Sequence, residues 1–216
     1  MTTPLQVGML LFPGITALDF IGPAQVLASR PNTQLHHVWK DLNPVMSDVG
    51  LALTPTTTLD DCPPLDLLVL AGGPGQTALM QDGPLLRWIA TRGRAARCVA
   101  SACTGSLLLG AAGLLQGRRA ASHWAFRELL VHFGATPDPA RVVIDGPVVT
   151  GGGVTACMDM AFRLLAELDG QEAAQDATLR LEYAPEPPFA TGRPEGLPLE
   201  QVARVRERLW REAGMA

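Results

Sequence analysis

The chain has 216 residues, of which 47% are hydrophobic and 18% are charged, and its formal net charge is −4. This length fits one large domain with its own core and is short for two. The slightly acidic balance argues against nucleic acid or an anionic membrane as a partner. Residues 1–6 lack the basic start of a signal peptide, and the apolar runs are too short to span a membrane. We therefore expect a cytoplasmic protein.

The first half of the chain alternates strand and helix signals. Nearly continuous apolar runs over 6–12 and 65–71 are typical of strands buried on both faces of a parallel sheet. A helix is predicted over 16–28, and the pair Gly22-Pro23 is expected to bend or interrupt it. The other signals in this half are, in order, strands at 35–39 and within 51–58, and a helix at 83–94. This alternation predicts an α/β fold.

The second half continues the alternation of strand and helix signals and ends in a Pro-rich stretch and one more helix pattern. A strand over 97–102 passes directly into a helix over 104–112. The later signals are a helix at 126–133, a hairpin of 142–144 with 148–150, and a helix at 155–168. A Pro-rich stretch at 185–198 precedes a last helix pattern that runs from Leu199 to Leu209. We predict one domain over 1–216, with its core at about 5–170 and residues 185–213 wrapping that core.

Cys103 lies where a β-branched, apolar strand turns abruptly into a helix. Ser101 and Gly105 stand two residues either side of it, as the small residues do in the G-x-S-x-G nucleophile elbow. The first N–H groups of the following helix favour a thiolate at such a corner. The alternative is an inert core cysteine that packs as a small hydrophobe. Because strand, elbow and helix start coincide, the sequence favours a nucleophile.

The other cysteines lack this setting. Cys98 and Cys157 fall in a predicted strand and helix, and Cys62 stands beside two prolines in a predicted loop. The sequence has no C-x-x-C pair and no histidines at metal-ligand spacing, so it predicts neither a disulfide framework nor a metal site.

Asp19 is an acid among apolar residues on the first predicted helix. If it faces the core beside a thiolate, its carboxyl would stay protonated, donate a hydrogen bond to sulfur and serve as general acid and then general base. The alternative is a local helix cap or an exposed carboxylate, and spacing alone does not decide between them.

Two glycine-rich turns follow predicted strands. In the loop 72–75, the N–H groups of Gly72 and Gly73 are candidates for binding substrate or a developing oxyanion, with Gly73 favoured because Pro74 has no N–H. No Lys-Ser or Lys-Thr follows, so a phosphate loop is disfavoured, and a plain tight turn is the alternative. The turn 151–153 offers an anion site or close packing near the site, and we favour close packing.

Of the four histidines, His36, His37 and His132 are interpreted as structural or surface residues. His123, in a Ser-His-Trp run, is the one that could approach a site. Nothing in the sequence places it within hydrogen-bond reach of Cys103, so it ranks below Asp19 as a partner of the thiol.

These motifs, taken in order, resemble the ThiJ/PfpI superfamily over residues 5 to about 170. The resemblance is carried by Asp19 in its Leu-Asp-Phe-Ile-Gly-Pro segment, the Ala-Gly-Gly-Pro-Gly loop at 71–75, the elbow at 101–105 and the turn at 151–153. It implies a flavodoxin-like three-layer α/β sandwich with a mostly parallel central sheet and a cysteine nucleophile elbow. It also implies a homodimer.

Within that superfamily, the chain is most similar to the isocyanide hydratases, which convert isocyanides to N-substituted formamides without metal or organic cofactor. Thr104 stands where protease-like members have histidine, which disfavours peptidase activity. Asp19 stands where many glyoxalase or deglycase members have glutamate. AraC-type regulators share several of the motifs, but the stretch after Leu168 is expected to be too short for their helix-turn-helix domain.

The resemblance implies that the Cys103 thiolate attacks the terminal carbon of a small-molecule isocyanide to give a thioimidate, and that Asp19 supplies the proton and then activates water. Gly73 and Thr104 would hold the site through their N–H groups and the Thr104 hydroxyl. His123 and Gly152 are candidates for a supporting role, and the pocket is expected to be apolar, with partner-subunit residues. Two alternatives stay open: a glyoxalase or deglycase acting on α-oxoaldehydes, and a non-enzymatic cysteine oxidation sensor or ligand-binding module.

Overall fold

A computed structural model of the protein describes residues 3–215. Its strands are β1 (Leu5–Leu10), β2 (Thr33–Trp39), β3 (Val45–Met46), β4 (Ala52–Leu53), β5 (Thr57–Thr58), β6 (Leu67–Leu70), β7 (Cys98–Ser101), β8 (Arg119–Ala120), β9 (Thr136–Pro137), β10 (Val142–Asp145) and β11 (Val148–Gly151). Its α-helices are α1 (Ala17–Leu27), α2 (Gln76–Leu79), α3 (Gly83–Ala95), α4 (Gly105–Ala111), α5 (Ala156–Asp169), α6 (Gln171–Arg180) and α7 (Leu199–Glu212), and Arg127–Phe133 forms a 3₁₀ helix.

Seven strands form the central sheet in the order β10-β11-β7-β6-β1-β2-β5. Every neighbouring pair is parallel except the predicted hairpin of β10 and β11, which is antiparallel. The four residues of β6 are all buried, as the apolar run predicts for a strand covered on both faces. Two short pairs lie outside this sheet, β3 with β4 and β8 with β9.

The connections between strands run in opposite directions from the middle of the sheet. Helix α1 links β1 to β2 on one side, whereas α2 and α3 link β6 to β7 on the other. Because both crossovers of parallel strands are right-handed, their helices cover opposite faces of the sheet. The helices form two packed groups, α1 with α5 and α6, and α3 with α4 and the 3₁₀ helix. The predicted three-layer sandwich is confirmed.

The reversal of direction creates a crevice at the carboxyl ends of β1 and β6, where open α/β sheets commonly bind ligands. The residues that follow β1, β6 and β7 meet at this end of the sheet. The large side chains beneath it are fully buried, among them Met9, Leu10, Leu68, Leu70 and Leu107. A rigid core therefore supports the loops above it.

Three local features refine or differ from the predictions. Helix α1 is not interrupted at Pro23, although proline lacks the N–H that would bond to the carbonyl four residues earlier. The helix predicted at 126–133 is a 3₁₀ helix over Arg127–Phe133. The sequence analysis missed α6, whose buried residues are only Ala174 and Ala177 and so give a weak apolar pattern.

The Pro-rich segment carries no helix or strand among its described residues, and α7 follows it back to the core. The indole N–H of Trp210 donates a hydrogen bond to the carbonyl of Ala125 at 2.9 Å. The Trp210 ring also stacks on Phe126, and the Thr77 hydroxyl donates to the carbonyl of Ala213 at 2.9 Å. Within residues 3–215, no helix is both long enough and apolar enough to cross a membrane.

Candidate active site

Three segments that follow the carboxyl ends of β1, β6 and β7 bring Asp19, Gly72 and Cys103 together. Asp19 lies in the first turn of α1, Gly72 follows β6, and Cys103 follows β7. The N–H of Thr16 donates to the carbonyl of Gly72 at 2.9 Å, and the N–H of Gly72 donates to Oδ2 of Asp19 at 3.0 Å. These reciprocal bonds fix the carboxyl against the loop after β6.

Cys103 has the strained backbone of a nucleophile elbow. Its φ is +54°, in the left-handed region, where a non-glycine residue carries a cost of about 1–3 kcal/mol. Gly105 permits the turn, since a Cβ there would lie 2.5 Å from the carbonyl oxygen of Leu70. The thiol-bearing residue is only 6% exposed. The structure therefore places Cys103 at a tight, buried corner between β7 and α4.

Burial controls the chemistry of Asp19, which has no exposed surface. It raises the pKa of the carboxyl from 3.8 to about 7, while the hydrogen bonds from Gly72 and Cys103 oppose this rise and the charge of Asp48 adds to it. Gly72 holds Oδ2 of the carboxyl. Asp19 can thus hold a proton near neutral pH beside the Cys103 thiol.

The Cys103 thiol and the Asp19 carboxyl titrate as a pair. Burial and the adjacent Asp19 charge raise the pKa of the thiol well above its ordinary value, whereas the N–H and hydroxyl of Thr104 lower it. The Asp19 charge acts only while that carboxyl is ionised. When Asp19 holds the proton that charge is absent, but burial still raises the pKa of the thiol, so the protonation of each group depends on the state of the other.

The predicted ligand-binding glycines are engaged with the protein itself. The Gly73 N–H donates to the Thr104 hydroxyl at 3.1 Å, and the Gly72 N–H is taken by Asp19. A Cβ on Gly72 would lie 2.6 Å from both N and Oγ1 of Thr104. In this structure the two amides position the acid and the threonine, and glycine is required for the close approach.

His123 and Gly152 lie beside the site rather than in the central pair. Burial lowers the pKa of His123 to about 4, which leaves the imidazole neutral at physiological pH. Its Nδ1 accepts from the N–H of Ala125 at 3.3 Å, and its ring lies against Gly153. The Gly152 N–H donates to the carbonyl of Arg141 at 2.9 Å. No hydrogen bond joins His123 to Cys103 within the described part of the chain.

The sequence analysis missed two hydroxyls that contact the elbow. The Oγ atoms of Ser106 and Ser122 both donate to the carbonyl of Cys103, at 3.2 and 3.1 Å. Ser106 is three residues from Cys103 and the local bond was open to prediction, but Ser122 is remote in the chain. In the Ser-His-Trp run, the histidine was considered a candidate site residue and the serine beside it was not.

Two adjoining cavities are lined by chain neighbours of the site residues, but neither is lined by Asp19 or Cys103. The smaller, of about 220 Å³, is lined partly by Ser122, His123 and Gly152. The larger, of about 1250 Å³, has a mixed lining, in which Leu18, Met158 and Phe189 are apolar and Arg141, Asp159 and Glu186 are charged. Residues 3–215 contain no group of three or more histidine, cysteine, aspartate or glutamate side chains arranged to hold a metal ion.

The fold and the buried cysteine elbow define a known class of protein. The chain belongs to the DJ-1/PfpI family, whose sequence pattern matches residues 5–167. This confirms the resemblance seen in the motifs.

Individual proteins of known name or structure are similar to most of the chain. The chain is 53% identical over 204 residues to an isonitrile hydratase from Pseudomonas putida, covering 94% of this chain and 90% of that protein. The crystal structure of a ThiJ/PfpI family protein from Pseudomonas syringae matches with a TM-score of 0.93 at 41% identity, covering 98% of this chain and 90% of that one. The HTH-type transcriptional regulator CdhR from Pseudomonas aeruginosa is 30% identical over 76% of this chain, which spans 51% of the regulator.

Proposed function

We propose that this protein is an isocyanide (isonitrile) hydratase that adds water to an isocyanide, R–N≡C, to give an N-substituted formamide. The observation that carries the proposal is the buried Asp19–Cys103 pair in a chain 53% identical to an isonitrile hydratase. A shared fold alone would not identify the substrate, because sites rather than folds carry function.

The first step uses the one proton of the buried pair. Sγ of Cys103 attacks the terminal carbon of the isocyanide and forms a C–S bond, while the proton held by Asp19 is delivered to the same carbon. The product is a neutral thioimidate, R–N=CH–S–Cys, and Asp19 is left ionised. An acid with a pKa of about 7 suits this transfer, because it is still protonated near neutral pH and gives up its proton readily.

The second step regenerates the thiol and consumes water. The Asp19 carboxylate takes a proton from water as the oxygen adds to the thioimidate carbon, and that proton passes to the substrate nitrogen. The resulting adduct, R–NH–CH(OH)–S–Cys, collapses: the C–S bond breaks, the hydroxyl proton goes to Asp19, and R–NH–CHO leaves. The site again holds one proton shared between Asp19 and Cys103.

Backbone groups keep the pair aligned through both steps. Gly72 fixes Oδ2 of Asp19, which leaves Oδ1 for the proton. Thr104 is held by Gly73, and its own N–H and hydroxyl favour the thiolate. Such preorganised groups stabilise developing charge without rearranging during the reaction. We assign Thr104 to stabilisation of sulfur and Gly72 and Gly73 to alignment.

The adjoining cavities offer room for the substituent R. An isocyanide carries no net charge and few hydrogen-bonding groups, so the apolar part of the larger cavity, formed by Leu18, Met158 and Phe189, suits it better than the charged part. Helix α1 also exposes Leu18 and Ile21 beside Asp19, with exposed fractions of 43% and 42%. We propose that a second copy of the chain covers this face in a homodimer, which sedimentation at micromolar concentration would test.

The deciding experiment measures formamide production from cyclohexyl or p-nitrophenyl isocyanide by the purified, reduced protein. We expect Cys103→Ala to abolish turnover and Asp19→Asn to lower kcat by at least 100-fold, since general acid–base groups contribute about 10²–10⁴. Cys98→Ala is the matched control, because Cys98 is a cysteine at the far end of the same strand, and it should retain activity.

Each other outcome has a defined meaning. Turnover that survives Cys103→Ala would exclude the covalent mechanism. Failure of the intact protein to convert either isocyanide would overturn the hydratase proposal, and methylglyoxal would then test the glyoxalase or deglycase alternative. Conversion of neither substrate, with oxidation of Cys103 to a sulfinate, would favour a sensor.

A further inference from the structure

We propose that Ser106 and Ser122 are positioning residues, which hold the Cys103 nucleophile in its reactive orientation through its own carbonyl group. The inference rests on the proposed function for its kinetic effect, but the geometry on which it depends is independent of the substrate. It concerns a backbone oxygen rather than the thiol, the acid or the amides already described.

Both hydroxyls converge on a single oxygen. Oγ of Ser122 lies 3.1 Å from the carbonyl oxygen of Cys103, and Oγ of Ser106 lies 3.2 Å from it. The two serines are buried, with exposed fractions of 3% and 0%. A carbonyl oxygen has two lone pairs, so both bonds can form together. These bonds satisfy both buried hydroxyls, which would cost free energy if they were left unpaired.

The carbonyl of Cys103 needs an anchor because its residue is strained. At a φ of +54°, a cysteine gains stability by returning to the ordinary negative region. Such a change would reorient the Cα–Cβ bond, and with it the thiol, relative to Asp19. Rotation about the N–Cα bond of Cys103 would move its own carbonyl group, so hydrogen bonds that fix this carbonyl oxygen oppose the rotation.

The two anchors come from different parts of the fold. Ser106 belongs to the first turn of α4, so its bond is local to the elbow. Ser122 is 19 residues from Cys103 in the chain and lies in the loop after β8. That loop is itself fixed, because the N–H of Ala121 donates to the hydroxyl of Thr150 at 2.8 Å. The hydrogen bond from Ser122 therefore connects the elbow to a loop that is held by Thr150 of β11.

Ser122 also lines the smaller cavity beside the site, together with His123. One residue thus forms part of the cavity wall and holds the backbone of the nucleophile. The orientation of Cys103 is therefore linked to the position of this wall. Removal of the hydroxyl is expected to affect the reaction of bound substrate more than its binding.

The test compares Ser122→Ala, Ser106→Ala and the double variant with Ser29→Ala. Ser29 supplies a matched control, because its hydroxyl also donates to the carbonyl three residues earlier, that of Val26 at 2.6 Å, but it lies beyond the C-terminal end of α1 and away from the elbow. Two quantities are measured at one pH: kcat and KM for p-nitrophenyl isocyanide, and the rate constant for alkylation of Cys103 by iodoacetamide. Near-UV circular dichroism and the urea unfolding midpoint establish that each variant is folded.

We expect Ser122→Ala to lower kcat by about tenfold, the equivalent of about 1.4 kcal/mol, and to leave KM within about twofold. Ser106→Ala should act in the same direction, the double variant should lose more than either, and Ser29→Ala should match the parent chain. A merely structural role would shift the unfolding midpoint without separating kcat from KM.

Folded Ser106→Ala and Ser122→Ala variants with unchanged kcat and unchanged alkylation would overturn the proposal. So would equal losses in the Ser29→Ala control. If Ser122→Ala does not fold, Ser106→Ala alone decides the question, because it removes the second donor to the same oxygen. If the parent protein does not hydrate isocyanides, the hydratase proposal fails while the alkylation rates still test the positioning role.

Discussion

Replacement of Asp19 by asparagine should make the folded protein more stable at neutral and alkaline pH while it destroys activity. The substitution keeps the size of the side chain, and its amide oxygen can still accept the hydrogen bond from Gly72. What it removes is an ionisable group with no exposed surface. Functional groups held in unfavourable surroundings commonly show this opposition between stability and activity.

The size and sign of the effect follow from the pKa of the carboxyl. Burial raises the pKa of Asp19 from 3.8 to about 7, and each pKa unit corresponds to about 1.4 kcal/mol. Between pH 4 and pH 7 the folded chain keeps a proton that the unfolded chain has already lost, so stability falls as the pH rises. Above that window the ionised carboxyl costs the folded state about 4 kcal/mol.

The assay is urea unfolding of the parent chain and Asp19→Asn at several pH values from 4 to 8.5. The difference in unfolding free energy should be small at pH 4 and should grow to about 4 kcal/mol in favour of the variant by pH 8. Titrating groups that do not interact with Asp19 cancel in this difference. Asp60→Asn, which alters an exposed carboxyl, serves as the control. A difference independent of pH would refute the argument that burial raises this pKa.

Three further substitutions test the loops and the C-terminal helix. Gly72→Ala should abolish turnover and lower the unfolding free energy by about 1–3 kcal/mol, measured by activity and urea unfolding, because its Cβ would lie 2.6 Å from Thr104. Thr104→Val should cost about 1–3 kcal/mol in the same unfolding assay and lower kcat, because it leaves the buried Gly73 N–H without its acceptor. Trp210→Ala should make α7 the first part of the chain to be cut in limited proteolysis, because it removes the hydrogen bond to Ala125. Cleavage at the parent rate would contradict the prediction that this bond attaches the helix to the rest of the domain.

The sequence predicts the parts of the site that depend on short stretches of chain. The elbow at Cys103 follows from a strand, small residues and a helix start within about ten positions, and the structure shows the corresponding positive φ. The spacing of residues around Asp19 left open whether it is buried, and the structure shows that it has no exposed surface. The alternation of strands and helices also predicts the α/β fold class, because it restricts the possible topologies of the sheet.

Other features depend on distances that no local pattern encodes. The contact between Gly72 and Thr104 joins segments that are brought together only when β6 and β7 pair. Ser122 reaches Cys103 from the loop after β8, and its role is invisible until that loop is placed. Helix α6 was missed for a different reason, since it buries alanines against the core and has little apolar periodicity.

The location of the site follows from the topology, but its reactivity follows from burial. The crevice between β1 and β6 would exist in any sheet with this strand order. An exposed aspartate and an exposed thiol at the same place would keep separate, ordinary pKa values, and the acid would hold no proton at neutral pH. Here the core beneath the loops and the close approach of Gly72 exclude water from both groups. Burial thereby raises the pKa of Asp19 to about 7, so the acid beside the nucleophile can both give and take a proton at neutral pH, as the proposed addition to an isocyanide carbon requires.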